Sequence, residues 1–221
     1  NENAYKAIQS NAIFTNVGLT DNNEPWWEGK KDGNPTIDWK GDEISADEGV
    51  FAHPNSRFTV SAKNNPKYSN LADSPSGVPI CAIVFGGRRS ELAPLVYESK
   101  DWKHGVLVGA SVGSETTAAA TGEVGIVRRD PMAMKPFCGY NFADYWSHWL
   151  SFSGQSERLP KIFHVNWFRK NDNGFIWPGF GDNLRVLEWI IKRCQNKIEA
   201  LDTPIGFLPN ANDIDTKGLE I

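Results

Sequence analysis

The run VPICAIVFGG (Val78–Gly87), followed by APLVYES (Ala93–Ser99), HGVLVGAS (His104–Ser111) and GEVGIVRR (Gly122–Arg129), decides the fold class. Each run is apolar, of strand length, and bounded by glycine, proline or charge, so the four read as strands of one sheet. Runs that are apolar on both faces imply a sheet covered on both sides by helices, an α/β (mixed α+β) architecture. Two helices are legible downstream. FADYWSHWLSF (142–152) places Phe142, Tyr145 or Trp146, Trp149 and Phe152 on one face. NLRVLEWIIKRCQNKI (183–198) places Leu187, Ile191, Cys194 and Ile198 on another, with Asp182 or Asn183 as its cap. KIFHVNWF (161–168) reads as a strand entering a loop. Upstream, residues 1–10 read as a short helix and Ala12–Thr20 as one strand. Residues 21–54 are loop-rich, with a small hairpin around Thr36–Trp39.

Composition narrows the functional classes. The chain has 221 residues, 40% of them hydrophobic and 23% charged, which is enough for a core without staples. No stretch approaches the roughly 18 to 20 apolar residues of a membrane helix. The net charge of −4 supplies no overall positive field for nucleic acid. Cys81, Cys138 and Cys194 are odd in number, far apart and without a CxxC pair. They argue against a disulfide framework or zinc knuckle and fit a reducing cytoplasm. The first residue is Asn1, with no signal peptide after it, so the chain reads as a piece of something longer.

Three constellations carry chemistry. NWFRKNDNGFIWPGFGDN (166–183) packs Trp167, Phe168, Phe175, Trp177 and Phe180 among glycines and a proline, at a spacing that no single helix or strand face explains. Such a loop can set two rings across a slot for a planar aromatic ligand, with Asn183 able to read a base edge. The competing reading is that the rings fill a core corner. HPNSRF (53–58) puts the Asn55 amide and the Arg57 guanidinium on one side of an extended segment, suited to carboxylate or phosphate; alternatively, Arg57 is simply solvated. FGGRR (85–89) brings Arg88 and Arg89 to a strand's carboxyl end, where α/β sheets bind ligands, behind glycines that allow close backbone approach. His53, His104, His148 and His164 show no metal-binding spacing, so no metal site is expected; His104 and His164 read as satisfied core histidines. GxxxxGK[ST] is absent. SVGSETTAAATG (111–122) has little apolar area to anchor it and reads as mobile.

Together, HPNSRF, FGGRR with PLVYES, the SETTAAA segment, DPMAMKPFCGYNF, LPKIFHVNWFRK and GFIWPGFGDN resemble the GTP-dependent phosphoenolpyruvate carboxykinase family over nearly the whole chain. The resemblance implies an incomplete domain like the carboxyl-terminal domain of that family, a mixed sheet with flanking helices. Its substrate lobe would lie near residues 1–76 and 127–184, and its nucleotide lobe near 77–126 and 185–221 with a lid at 114–125. It assigns Trp167, Phe168, Phe175 and Phe180 to guanine, Asn183 to the polar edge of the base and Arg88 to the γ-phosphate. Asn55 and Arg57 fall to the oxaloacetate or phosphoenolpyruvate carboxylate and the transferred phosphoryl group. The implied reaction, a step of gluconeogenesis, converts oxaloacetate and GTP to phosphoenolpyruvate, GDP and CO2, with Mn2+ and Mg2+. The resemblance places the metal ligands and the P-loop before Asn1. The parent is then a monomeric cytoplasmic enzyme that binds neither nucleic acid nor membrane.

Stacking gives on the order of 1–3 kcal/mol per base, whereas millimolar affinity already needs about 4 kcal/mol. The isolated piece is therefore expected to be inactive, to bind nucleotide weakly and to self-associate through apolar surface. Two alternatives stay open: a non-enzymatic aromatic platform for carbohydrate or nucleotide, and a kinase-like enzyme for another nucleotide.

Overall fold

The computed structural model describes residues 2–45, 47, 49–117 and 123–219. They form two compact units, residues 1–78 and 79–221.

The first unit opens with helix α1 (Glu2–Ala7) and strand β1 (Ala12–Thr15). The single strand expected over Ala12–Thr20 is divided at Asn16, whose φ of 57° is a left-handed conformation that asparagine tolerates. Past that bend, β2 (Gly18–Thr20) lies between β3 (Pro25–Trp26) and β4 (Pro35–Ile37). β1 instead pairs antiparallel with β5 (Arg57–Val60), Thr15 opposite Arg57. At Gly18 a Cβ would sit 2.8 Å from Ile37 O and 2.9 Å from the Phe51 Cβ, so only glycine lets these segments approach. The expected hairpin is found as a turn after β4. Asp38 accepts from the N–H groups of Lys40 and Asp42 at 2.8 and 3.0 Å, and Ile44 N donates back to Thr36 O.

The second unit holds β6 (Ala82–Gly86), β7 (Val96–Glu98), helix α2 (Trp102–Ala110), β8 (Gly113–Glu115) and β9 (Val127–Arg129). Then follow α3 (Phe142–Ser151), β10 (Lys161–Val165), β11 (Lys170–Asn171), β12 (Gly174–Phe175), α4 (Asn183–Cys194), β13 (Leu201–Thr203) and β14 (Gly206–Leu208). The main sheet has the order β13-β14-β7-β10-β6 and is mixed: β10 runs parallel to β6 and antiparallel to β7. The expected mixed sheet with flanking helices is present. The two-residue period of β10 sends Phe163 and Val165 into a core with Val186, Trp189 and Ile190 of α4. Ile162 points to the other face, into a core with Phe85 of β6 and Val106 of α2, against which Tyr145, Trp146 and Trp149 of α3 pack.

Two of the four runs read as strands are not in that sheet. HGVLVGAS is helical: Asp101 caps α2 by accepting the His104 N–H at 2.7 Å. Its glycines, four apart, press on the sheet, since a Cβ at Gly105 would be 2.5 Å from Ile162 Cδ1 and one at Gly109 2.6 Å from Phe85 Cε2. A short apolar run looks the same as a buried strand or a buried helix. GEVGIVRR contributes only β9, which pairs with β8 in a separate two-stranded ribbon.

α4 is turned about its axis from the expected face. Val186, Trp189 and Ile190 are buried, while Leu187 and Ile191 are 40% and 52% exposed. The helix carries two neighbouring stripes at spacings of three and four, and burial of the Trp189 indole selects between them. Asp182 occupies the expected cap position, but its side chain makes no capping bond. The Asp182 carboxylate takes the Arg185 Nε–H at 3.0 Å, and Asn183 lies within the helix. Behind α4, the buried Glu98 accepts from Arg193 Nε at 2.5 Å and Lys161 Nζ at 2.9 Å. Two cysteines distant in sequence also meet here, Cys194 Sγ lying 3.4 Å from Cys81 O.

Candidate active site

β6 and β10 are parallel neighbours with Gly86 opposite Val165, so the chains leaving their carboxyl ends emerge side by side. One carries Arg88 and Arg89, the other Trp167, Phe168 and Phe175. The FGGRR turn is tight because Gly87 runs against the next segment, where a Cβ would be 2.7 Å from Gly113 O.

Arg88 is half-buried and held by β8. Its N–H donates to Ser114 Oγ at 3.1 Å, its Nε–H donates to Glu115 O at 3.2 Å, and its carbonyl accepts from Glu115 N at 2.8 Å. Among the described residues no partner takes Nη1 or Nη2, so two forked donors remain for an anion. The Glu115 carboxylate accepts from the Ser90 N–H at 2.6 Å and the Ser90 hydroxyl at 2.7 Å. Burial raises its pKa, but the Ser90 donors with the charges of Arg89 and Lys170 outweigh that and hold the carboxyl below the ordinary range.

The ring-rich segment divides by role. Trp177 is 4% exposed and belongs to the core under α4, with Trp167 packed against the same cluster. For these two the core-corner reading describes what is seen. Phe168 and Phe175 bracket the β11–β12 hairpin and meet edge to face, with centroids 5.9 Å apart and planes at 77°. They touch and leave no flat slot between them. The apolar faces left open are those of Phe175, 59% exposed with Lys170 Nζ 5.0 Å from its ring, and Phe180, 65% exposed. Phe180 stands on a turn with φ of 36° just before α4. The Asn183 side chain is oriented by Trp177, whose Nε1–H donates to Asn183 Oδ1 at 2.8 Å. That bond leaves the amide NH2 to donate elsewhere.

His164 is 6% exposed and stacked on Tyr97 at 5.1 Å, and among the described residues its Nδ1 has no partner. It is a core histidine, but not a satisfied one. The buried Nε of Arg89 likewise has none. Burial, then the Arg89 charge, push the His164 pKa from 6.5 down to about 4. The unfolded chain therefore binds this proton more readily. Stability from a neutral His164 is complete above pH 6.5 and is lost as pH falls towards 4, about 3 kcal/mol in all. Urea midpoints measured across that window should fall more steeply for the wild type than for His164→Phe, which keeps the stack. His104 lies in α2, where its Nδ1 accepts from Lys100 N at 3.0 Å.

In the first unit, Asn55 and Arg57 do not share an extended segment. Ser56 N donates to His53 O and Asn55 N to His53 Nδ1 at 2.9 Å, which makes 53–56 a turn. Arg57, exposed at the start of β5, borders a cavity of about 720 Å³ that sequence reading missed. Its lining includes the stacked Phe14 and Trp27 rings, 5.6 Å apart, with Lys30 and Lys31. The signal available was WW followed closely by KK.

The region expected as a lid, 114–125, includes β8 and its return strand's approach, with Thr116 N donating to Ile126 O at 3.0 Å. The stretch expected to be unanchored, 111–122, is held over its described part, where Gly113–Glu115 form β8 and Ser114 is buried; its small-residue centre, 118–122, lies outside the described residues. Among the described residues no group of three or more His, Cys, Asp or Glu side chains could hold a metal ion. No described helix is long and apolar enough to cross a membrane.

The family model described as the phosphoenolpyruvate carboxykinase C-terminal P-loop domain matches residues 1–221. The chain is 53% identical over 225 residues to a Chlamydia muridarum protein named phosphoenolpyruvate carboxykinase (GTP). Proteins of the same name from Thermoplasma volcanium and Neocallimastix frontalis are each 51% identical, over 223 and 231 residues. All of this chain is covered in each comparison, and it spans 38% of the length of each relative.

Proposed function

The chain belongs to the phosphoenolpyruvate carboxykinase C-terminal P-loop domain family, and from that premise we propose that it is a segment of a GTP-dependent phosphoenolpyruvate carboxykinase. The enzyme would decarboxylate oxaloacetate to an enolate whose oxygen attacks the γ-phosphorus of GTP. The bond from that phosphorus to the β–γ bridging oxygen then breaks, giving phosphoenolpyruvate, GDP and CO2. The observation that carries the reading is the emergence of a guanidinium loop and an aromatic hairpin from adjacent ends of the parallel pair β6 and β10.

In this reading the open faces of Phe175 and Phe180, with Phe168 and Trp167 behind them, hold guanine. The Asn183 NH2 donates to the base's carbonyl oxygen, which adenine lacks. Arg88 offers its Nη donors to the γ-phosphate, where phosphoryl transfer needs positioning and charge neutralisation. Asn55 and Arg57 meet the carboxylate of oxaloacetate or phosphoenolpyruvate. The lobes at 1–76 with 127–184 and at 77–126 with 185–221, the lid, gluconeogenic use and a cytoplasmic, monomeric parent belong to the same proposal. Mn2+ and Mg2+ would supply further charge neutralisation, but the described residues do not form a site for either, so no step is derived through them.

The test is oxaloacetate-dependent GDP formation by the full-length protein, with GDP, ADP and a neutral oligosaccharide titrated in parallel. Turnover with GTP and preference for GDP are expected. Phe175→Ala should weaken GDP binding by about 1–3 kcal/mol, roughly 5- to 150-fold. Equal binding of GDP and ADP, or binding of the oligosaccharide alone, would contradict the assignment. The isolated chain is expected to show no turnover.

A further inference from the structure

Asn166, the first residue after β10, is 1% exposed, and its side-chain amide is fully engaged. Oδ1 accepts from Arg89 N at 3.1 Å and from Phe168 N at 3.2 Å. Nδ2 donates to Arg89 O at 2.9 Å and to Ala93 O at 3.2 Å. A primary amide has two N–H donors and two acceptor lone pairs, so nothing is left for a ligand. What the amide does is join two backbones. One is the loop that bears Arg88 and Arg89; the other opens the hairpin that bears Phe168 and Phe175. A second tie, Lys170 N to Ser90 O at 3.0 Å, runs the same way.

The joint is stiff where it matters. Arg89 N belongs to the peptide plane that ends in Arg88 O, and that oxygen accepts from Glu115 N at 2.8 Å. The plane is therefore fixed by Asn166 through one atom and by β8 through another, which sets the direction in which Arg88 leaves the backbone. On the other side, the same Oδ1 holds the Phe168 N–H. A planar amide cannot follow one partner without turning against the other.

We propose that Asn166 is a positioning residue that couples the seating of the base on the aromatic hairpin to the placement of the Arg88 guanidinium at the phosphoryl group. This rests on the guanine-nucleotide reading above and adds to it a connection between recognition and chemistry. A base pressed on the open face of Phe175, whose ring meets Phe168 edge to face, shifts the hairpin's first turn, and the shift reaches the arginine loop through one side chain.

The experiment uses the full-length protein and kinetics normalised to the folded fraction. Asn166→Ala is expected to raise the KM for GTP and to lower kcat, each on the order of 10- to 100-fold, as misplacement of a charge-stabilising group does. Val106→Ala, a buried change in α2 that touches neither loop, should reduce the unfolding midpoint and leave both constants unchanged per folded molecule. The coupling has its own readout: in the Asn166 protein, Phe175→Ala should lower kcat as well as raise KM. In the Asn166→Ala background it should raise KM alone. Asn166→Asp retains the acceptor and loses the donors, and serves if the alanine variant folds poorly; its constants should fall between the other two. The proposal is overturned if the Asn166 variants behave like Val106→Ala, or if Phe175→Ala has the same kcat effect in both backgrounds. If the wild type shows no GTP-dependent turnover, the functional reading fails and the coupling fails with it. An active wild type with unaffected variants removes the coupling only.

Discussion

Arg88→Ala in the full-length protein is expected to lower kcat by on the order of 10²- to 10³-fold, the usual cost of removing one preorganised donor from developing charge. The guanidinium is placed in advance, since β8 takes its backbone N–H, its carbonyl and its Nε–H. In the proposed reaction, little reorganisation would then be needed for a phosphoryl group to meet it. Arg88→Lys should recover only a small part, because an ammonium cannot both keep the bond to Glu115 O and present a two-pronged donor. Steady-state kinetics with GTP and oxaloacetate check this, and a kcat within a factor of three of wild type would remove Arg88 from the reaction.

The second large effect is on stability. Glu98 is 4% exposed and lies between Lys161 and Arg193, at 2.9 and 2.5 Å. Arg193 also donates through Nη1 to Ile198 O at 2.7 Å. The trio ties the end of α4 to the central strands. Glu98→Ala removes the shared anion and leaves the largely buried Arg193 guanidinium without it, with Lys161, about a third exposed, less affected, which should cost about 3–5 kcal/mol in denaturant unfolding. Asp73→Ala, which removes the surface pair with Lys63, should cost no more than about 1 kcal/mol, because both of those side chains stay in water. Similar costs for the two variants would mean that the buried trio is not a tether.

What the sequence made legible was mostly what hydrophobic period and strand length can encode. β6, β7 and β10 are short apolar runs between breakers, and each is found as a strand. α2 was hidden because a short apolar run reads equally well as a buried strand or a buried helix; its buried face mixes Val106 and Val108 with Gly105 and Gly109, and the glycines let the helix lie close against Ile162 and Phe85. The orientation of α4 was hidden for a different reason: both of its stripes satisfy helical spacing, and only the fit of Trp189 beneath the sheet separates them. At the site, Arg88 was visible from its place after a strand and two glycines. Asn166 was not, although it stands within the quoted NWFRK run, because an asparagine's value here lies in four backbone partners from two loops. Neither the Phe168–Phe175 contact nor the turn at Asn55 follows from residue type. Both depend on which backbone atoms the neighbouring loops offer.

The most direct measurement is a crystal structure of the full-length protein with a non-hydrolysable GTP analogue. The account expects the guanine ring against Phe175 and Phe180, with the Asn183 NH2 at its carbonyl oxygen and the Arg88 Nη groups within hydrogen-bond distance of the γ-phosphate. A base seated away from residues 167–183, or a triphosphate that leaves Arg88 bound to Glu115 alone, would contradict it.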